Sequence, residues 1–178
     1  YLKLADIVPF LDELDAAGET EIEIGFTGGE PFMAPEIIAI LRETLQRGHT
    51  VLMLTNAMQP MMRPAIKGGL IDLNETFPGR LTMRVSLDHY SARFHDEERG
   101  AGSFELTMKG VRWLSENGFK LALAGRTMWD EPEAEARVGY ADLITRENLN
   151  VDPADASELV LFPEMQPDAD PPEITTAC

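Results

Sequence analysis

A parallel α/β fold follows from two features of the sequence. Five short β-branched or apolar runs, at 21–27, 50–55, 81–87, 120–125 and 158–162, recur at roughly 30 to 40 residues, the length of a βα unit. Between them lie stretches whose apolar residues repeat at helical spacing, and strands joined by helices in this way pair in parallel.

An opening helix takes Asp6 as N-cap, holds Pro9 in its first turn, where the missing N–H costs nothing, and stops at Gly18. Leu4, Ile7, Val8, Leu11 and Leu14 give it a stripe to bury. The first strand run, Glu21-Ile22-Glu23-Ile24-Gly25, leads into Phe26-Thr27-Gly28-Gly29-Glu30-Pro31. Pro35 then opens a helix near its first position, with Ile37, Ile38, Leu41 and Leu45 on one face and Gly48 as its stop. A weakly patterned helix is expected over 61–67. Ser103 caps another, in which Phe104, Met108, Val111 and Leu114 face inward up to Gly118. A last helix starts at Asp130 or Glu131 and presents Val138, Ala141 and Ile144. Because helix precedes strand at the start, a first strand with its loop is expected upstream. The chain also begins without methionine, as an internal piece of a longer protein would.

The 178 residues fit one domain, read as 1–163, and 44% hydrophobic residues suffice for its core. The acidic, proline-rich segment from 164 to 178 reads as a loop leading to a further C-terminal region. With 31 acidic against 15 basic side chains and a net charge of −16, no basic stripe is available for nucleic acid or an anionic membrane. A single cysteine, Cys178, excludes an internal disulfide, and no run of 18 apolar residues or signal-like start occurs. A cytoplasmic setting is the default expectation.

Parallel strands bring their C-terminal ends to one face, where α/β enzymes place their chemistry. Here those ends read Thr27-Gly28-Gly29-Glu30, Thr55-Asn56, Ser86-Leu87-Asp88-His89, Gly125-Arg126-Thr127 and Pro163-Glu164. Each sets polar or charged groups directly after an apolar run. Two adjacent glycines admit a ligand close to the backbone, and Glu30 offers an acceptor to an ammonium. With Arg126 for a carboxylate and Asp88 for a ribose diol, the set suits a zwitterionic ligand that carries a sugar. A Rossmann dehydrogenase is excluded, because no G-x-G-x-x-G follows any strand.

Strand-terminal Gly28-Gly29-Glu30-Pro31, then Thr55-Asn56, then Val85-Ser86-Leu87-Asp88, then His95-Asp96-Glu97-Glu98-Arg99-Gly100 and Gly102-Ser103-Phe104 resemble the core of radical S-adenosylmethionine (SAM) enzymes. The order covers nearly the whole chain, and residues 85–119 are the most specific stretch, similar to the subgroup that modifies peptides or activates other enzymes. The resemblance implies a partial (β/α)6 TIM-like barrel in which Gly28, Gly29 and Glu30 bind the methionine ammonium. It also implies that Ser86 and Arg126 hold the carboxylate, that Asp88 contacts the ribose, and that Asn56 lines the same pocket. The implied chemistry is reductive cleavage of SAM at a [4Fe-4S] cluster to a 5′-deoxyadenosyl radical, which takes hydrogen from substrate. A peptide or protein substrate and an electron donor such as flavodoxin or ferredoxin come with it.

One departure is large. Such enzymes hold the cluster on a Cys-x-x-x-Cys-x-x-Cys loop after the first strand, and this chain has none, so its metal ligands are expected upstream and the fragment alone is expected to be inactive. The alternative is a cluster-less, non-catalytic α/β module that binds a nucleotide-like ligand or a protein partner. His89 stands where relatives often carry glycine; it is either a titrating group at the mouth or structural. His49 reads as a surface or capping residue, and His95 with Asp96 as a structural hydrogen bond or an ion pair with Arg99. Met53, Met58, Met61 and Met62 read as core filling, with Met58 also able to edge a pocket. Trp113 suits helix packing, Trp129 either stacks on a ligand or covers the rim, and Cys178 reads as a plain thiol.

Overall fold

The structure, a computed structural model, describes residues 1–127 and 131–163. Five strands, β1 (Glu23–Phe26), β2 (Thr50–Thr55), β3 (Leu81–Ser86), β4 (Lys120–Thr127) and β5 (Leu159–Pro163), pair in parallel in chain order as a curled half-barrel. Six helices accompany them: α1 (Leu4–Ala17), α2 (Ile37–Gln46), α3 (Pro64–Thr76), α4 (Ala92–Arg99), α5 (Ser103–Glu116) and α6 (Glu133–Arg146). Along β2 and β3 the burial alternates with period two. Val51, Met53, Leu81, Met83 and Val85 are fully buried in the core cluster with Leu41, Leu70 and Met108 of the helices, while Leu52, Leu54, Arg84 and Ser86 line the concave side. That alternation aims one set of side chains at the helices and leaves the other for a site.

Several expectations change in detail. Lys3, not Asp6, is the N-cap of α1; Asp6 sits at the third helical position and accepts from the Lys3 N–H at 2.9 Å. Pro9 therefore lies inside the helix, and only Leu11 of the stripe is fully buried. Between β1 and α2 a 3-10 turn (Pro31–Met33) intervenes, and α2 starts at Ile37 rather than near Pro35. The helix expected over 61–67 instead runs Pro64–Thr76, because Pro64 at its first turn sets the start and the Gly68-Gly69 pair breaks the apolar pattern within it. A Cβ on Gly69 would lie 2.8 Å from the Ile38 side chain, so this glycine marks a close approach of α3 to α2.

Helix α4 was not legible: its segment is charged, and its one buried residue, His95, is polar. Gly102, not Ser103, is the N-cap of α5, and the cap hydrogen bonds come from Asp96, which accepts from the Phe104 N–H at 2.8 Å and the Gly102 N–H at 2.7 Å. Those bonds hold the Asp96 carboxyl below its usual range. Helix α6 starts at Glu133 with Pro132 as its cap residue; it buries Ala136, Tyr140, Leu143 and Ile144, and leaves Val138 62% exposed. His49 is fully buried with no hydrogen-bond partner on either ring nitrogen, correcting its assignment to the surface. Met53 and Met61 are core residues, as expected. Trp129, the 164–178 loop and Cys178 lie outside the described residues.

Candidate functional site

At the C-terminal end of β1 the chain turns through Gly28, whose φ of 139° is a conformation that L side chains rarely adopt. A Cβ placed on Gly28 or Gly29 would meet nothing within 4 Å, so the loop presents bare backbone to open space. Glu30 then folds back toward β2. Its carboxylate accepts from the Thr55 hydroxyl at 2.9 and 3.0 Å, from the Asn56 N–H at 2.9 Å and from the Phe32 N–H at 3.1 Å. The Thr55 hydroxyl has one proton to share between the two oxygens, so three donors fix Glu30 in place and leave about one of its roughly four lone-pair positions open.

Across the sheet, Asp88 follows β3 and is only 4% exposed. Arg99, at the end of α4, forks onto it with N–O distances of 2.5 and 3.0 Å, and the Arg126 Nε lies 3.5 Å from the same carboxylate. The Asp88 backbone is also held: its N–H donates to His95 Nδ1 at 3.2 Å, and its carbonyl accepts from the Arg126 N–H at 3.0 Å. Burial holds the His95 imidazole below its ordinary value, with the Asp88 charge opposing. His95 is thus structural, and Arg99 pairs with Asp88 rather than with His95 or Asp96. Burial likewise lowers His89, whose ring lies 3.3 Å from the Glu131 carboxylate. Tyr90 donates to the same carboxylate at 2.6 Å, which pushes its phenol up to about 12. His89 therefore belongs to a buried cluster beside α6.

Two adjoining cavities of about 130 Å³ each open on this face. One is lined by Gly28, Gly29, Asn56, Ser86 and Arg99, the other by Ser86, Asp88, Arg99, Arg126 and Arg84. Ser86 and Arg99 are common to both, so Gly28, Gly29, Asn56, Ser86, Asp88 and Arg126 gather round one continuous mouth, while Glu30 lines neither cavity. A larger cavity of about 310 Å³ shares the glycine loop: Gly28, Gly29 and Glu30 line it together with Tyr1, Leu2, Phe26 and Met33. Gly28 and Gly29 thus stand between the larger cavity, which Glu30 lines, and the two smaller ones, which the arginines line. The sequence reading missed Arg99 and Arg84 as lining residues. Arg99 could have been found from its place thirteen residues after Ser86 only by knowing that α4 folds back under β3.

Among the described residues no group of three or more His, Cys, Asp or Glu is placed to hold a metal ion. They do not fit a [4Fe-4S] cluster, which takes cysteine thiolates. The two smaller cavities offer bare glycine backbone, the Asp88 carboxylate and the guanidinium groups of Arg84, Arg99 and Arg126, and Glu30 lines the larger cavity beyond the glycine loop.

Comparison with known proteins gives the family. Residues 1–135 match the radical SAM superfamily, and the chain belongs to that enzyme superfamily. It is 31% identical over 109 residues to the antilisterial bacteriocin subtilosin biosynthesis protein AlbA of Bacillus subtilis, which covers 58% of this chain and 23% of AlbA. It is also 31% identical over 111 residues to the AdoMet-dependent heme synthase of Methanosarcina barkeri, covering 62% of this chain and 29% of the synthase. The chain thus spans about a quarter of the length of these relatives. Among solved structures, Streptococcus suis SuiB superposes with a TM-score of 0.66 at 14% identity over 93% of this chain and 34% of SuiB. SuiB bound to S-adenosylmethionine gives 0.64 at 13% identity, over 94% of this chain and 35% of SuiB. At that identity the likeness is one of fold.

Proposed function

We propose that this chain is the SAM-binding part of a radical SAM enzyme that acts on a peptide. The observation that carries the reading is the meeting of the Gly28-Gly29 loop, Ser86, Arg99 and Arg126 around one mouth at the strands' C-terminal ends. Family membership supports SAM as the ligand, and the peptide follows from two similar proteins: AlbA serves subtilosin biosynthesis, and SuiB has been solved with its precursor peptide SuiA.

In this reading the backbone at Gly28 and Gly29 together with the Glu30 carboxylate receives the methionine ammonium. Ser86 and Arg126 take the carboxylate, and Asp88 accepts from the ribose with its remaining lone pairs. Asn56 closes the wall between them; its side chain is already turned to the Met58 N–H at 2.9 Å. Opposite charges for the two ends of an amino acid impose one orientation, and orientation places the reacting end. Bound SAM supplies the hydrogen-abstracting chemistry that defines the superfamily, and the protein's part is to orient it and exclude water. The reading requires an electron donor such as flavodoxin or ferredoxin.

The test is calorimetric titration of SAM into the full-length, cluster-reconstituted protein. Glu30→Ala and Arg126→Ala are each expected to weaken binding by roughly 1.5–3 kcal/mol, the scale of a hydrogen bond to a charged group. Gly29→Val should weaken it by blocking backbone approach while leaving the charges in place. Wild-type affinity in both charge variants would overturn the assignment.

A further inference from the structure

Two residues below Ser86 on the same face of β3 stands Arg84, roughly 7 Å deeper in the half-barrel at the usual rise per residue. Its register partners are Leu54 on β2 and Ala122 on β4, both apolar. It lines the cavity that opens at Asp88 and Arg126 and also a smaller one of about 60 Å³ beneath, so it forms the floor between them. Its Nε is buried with no hydrogen-bond partner, and among the described residues no carboxylate forms an ion pair with it. The guanidiniums above it are engaged, Arg99 in a fork onto Asp88 and Arg126 beside the same carboxylate.

A guanidinium stays charged at any physiological pH, and a buried donor without a partner is costly. Glu23, Glu158 and Lys120 also line the smaller cavity beneath it, yet among the described residues neither carboxylate forms an ion pair with Arg84, and on the side of the mouth its register partners are apolar. Ala122 and Ala124 on β4 are small, which leaves space in front of it. A planar carboxylate matches the geometry of the fork, and the space suits one borne on a short aliphatic arm.

We propose that Arg84 is a substrate-recognition residue that receives a carboxylate of the substrate, of the kind an aspartyl or glutamyl side chain presents, at the floor of the half-barrel. The proposal rests on the reading above only in taking this mouth as the substrate's entrance. It assigns the SAM carboxylate elsewhere.

The test uses full-length protein, with and without SAM, and two probes that differ only in charge: N-acetylglutamic acid α-amide and N-acetylglutamine α-amide. By calorimetry the acid is expected to bind at least tenfold more tightly than the amide. Arg84→Gln should abolish that preference and Arg84→Lys should retain part of it, while SAM affinity stays within threefold of wild type in both. Equal binding of the two probes to wild type, no binding of either, or an undiminished preference in Arg84→Gln would overturn the proposal. Should Arg84→Gln fail to fold, the wild-type comparison and Arg84→Lys still decide it, an unchanged preference in the lysine variant counting against a fork-shaped site. Loss of SAM binding by wild type with the acid preference intact would sink the SAM reading and leave this one standing.

Discussion

Asp88 organises the mouth through side chain and backbone alike, gathering Arg99, Arg126 and His95 around one position. Its dependence on His95 makes a pH prediction. Burial lowers the His95 pKa below its ordinary value of 6.5, so the unfolded chain binds more protons than the folded one as pH falls. The group's contribution to stability is therefore whole above about 6.5 and is lost as pH drops through that value toward the folded pKa. His95→Phe should lower stability near neutrality by roughly 1–3 kcal/mol, because the Asp88 N–H loses its acceptor. It should also flatten the fall in stability between about pH 7.5 and 5.5, read by urea unfolding at each pH. The positions of Glu30, Asp88 and Arg126 at strand ends were legible because each lies at or just beyond the end of an apolar run. Arg84 was hidden inside its run, where an arginine reads as an interruption rather than as a floor.

Helix α5 is coupled to the site through the loop after β2. The Thr107 hydroxyl donates to the Asn56 carbonyl at 3.1 Å, and a Cβ on Gly110 would fall 2.0 Å from the Ala57 carbonyl oxygen. Ala57 itself has φ of 55°, so this loop is already in an uncommon conformation and has little room to yield. Gly110→Ala is expected to destabilise by roughly 1–3 kcal/mol, the scale of overpacking, and to weaken SAM binding by shifting Asn56 and with it Glu30. Lys109→Ala, on the exposed face of the same helix, should do neither; thermal unfolding and SAM titration of the pair separate the two effects. The strands and α5 could be read from periodicity, since their buried residues are apolar and regularly spaced. Helix α4 could not, and α6 was rotated in the reading because Tyr140, whose hydroxyl reaches the Leu87 carbonyl at 2.6 Å, anchors it instead of Val138.

At the scale of the whole molecule, a net charge of −16 spread over 178 residues opposes compaction by self-repulsion. Adding salt should therefore raise the unfolding midpoint, most steeply at low ionic strength, where the screening length changes fastest. Differential scanning calorimetry across a sodium chloride series checks this; a midpoint that falls with salt would mean that attractive ion pairs such as Arg47 with Asp12, Asp15 and Glu43 dominate instead. The strictly sequential strand order has a consequence for biosynthesis. Because each strand pairs with the one made just before it, the sheet can grow by one unit at a time as the chain leaves the ribosome, with no early strand waiting for a late partner. Glu30 emerges first, Thr55 and Asn56 lock it, Asp88 and Arg99 follow, and Arg126 arrives last of the charged groups. Phe162 of β5, the register partner of Arg126, closes the wall of that cavity, so a nascent chain holds an immature cleft until the last strand docks on a scaffold that has already set.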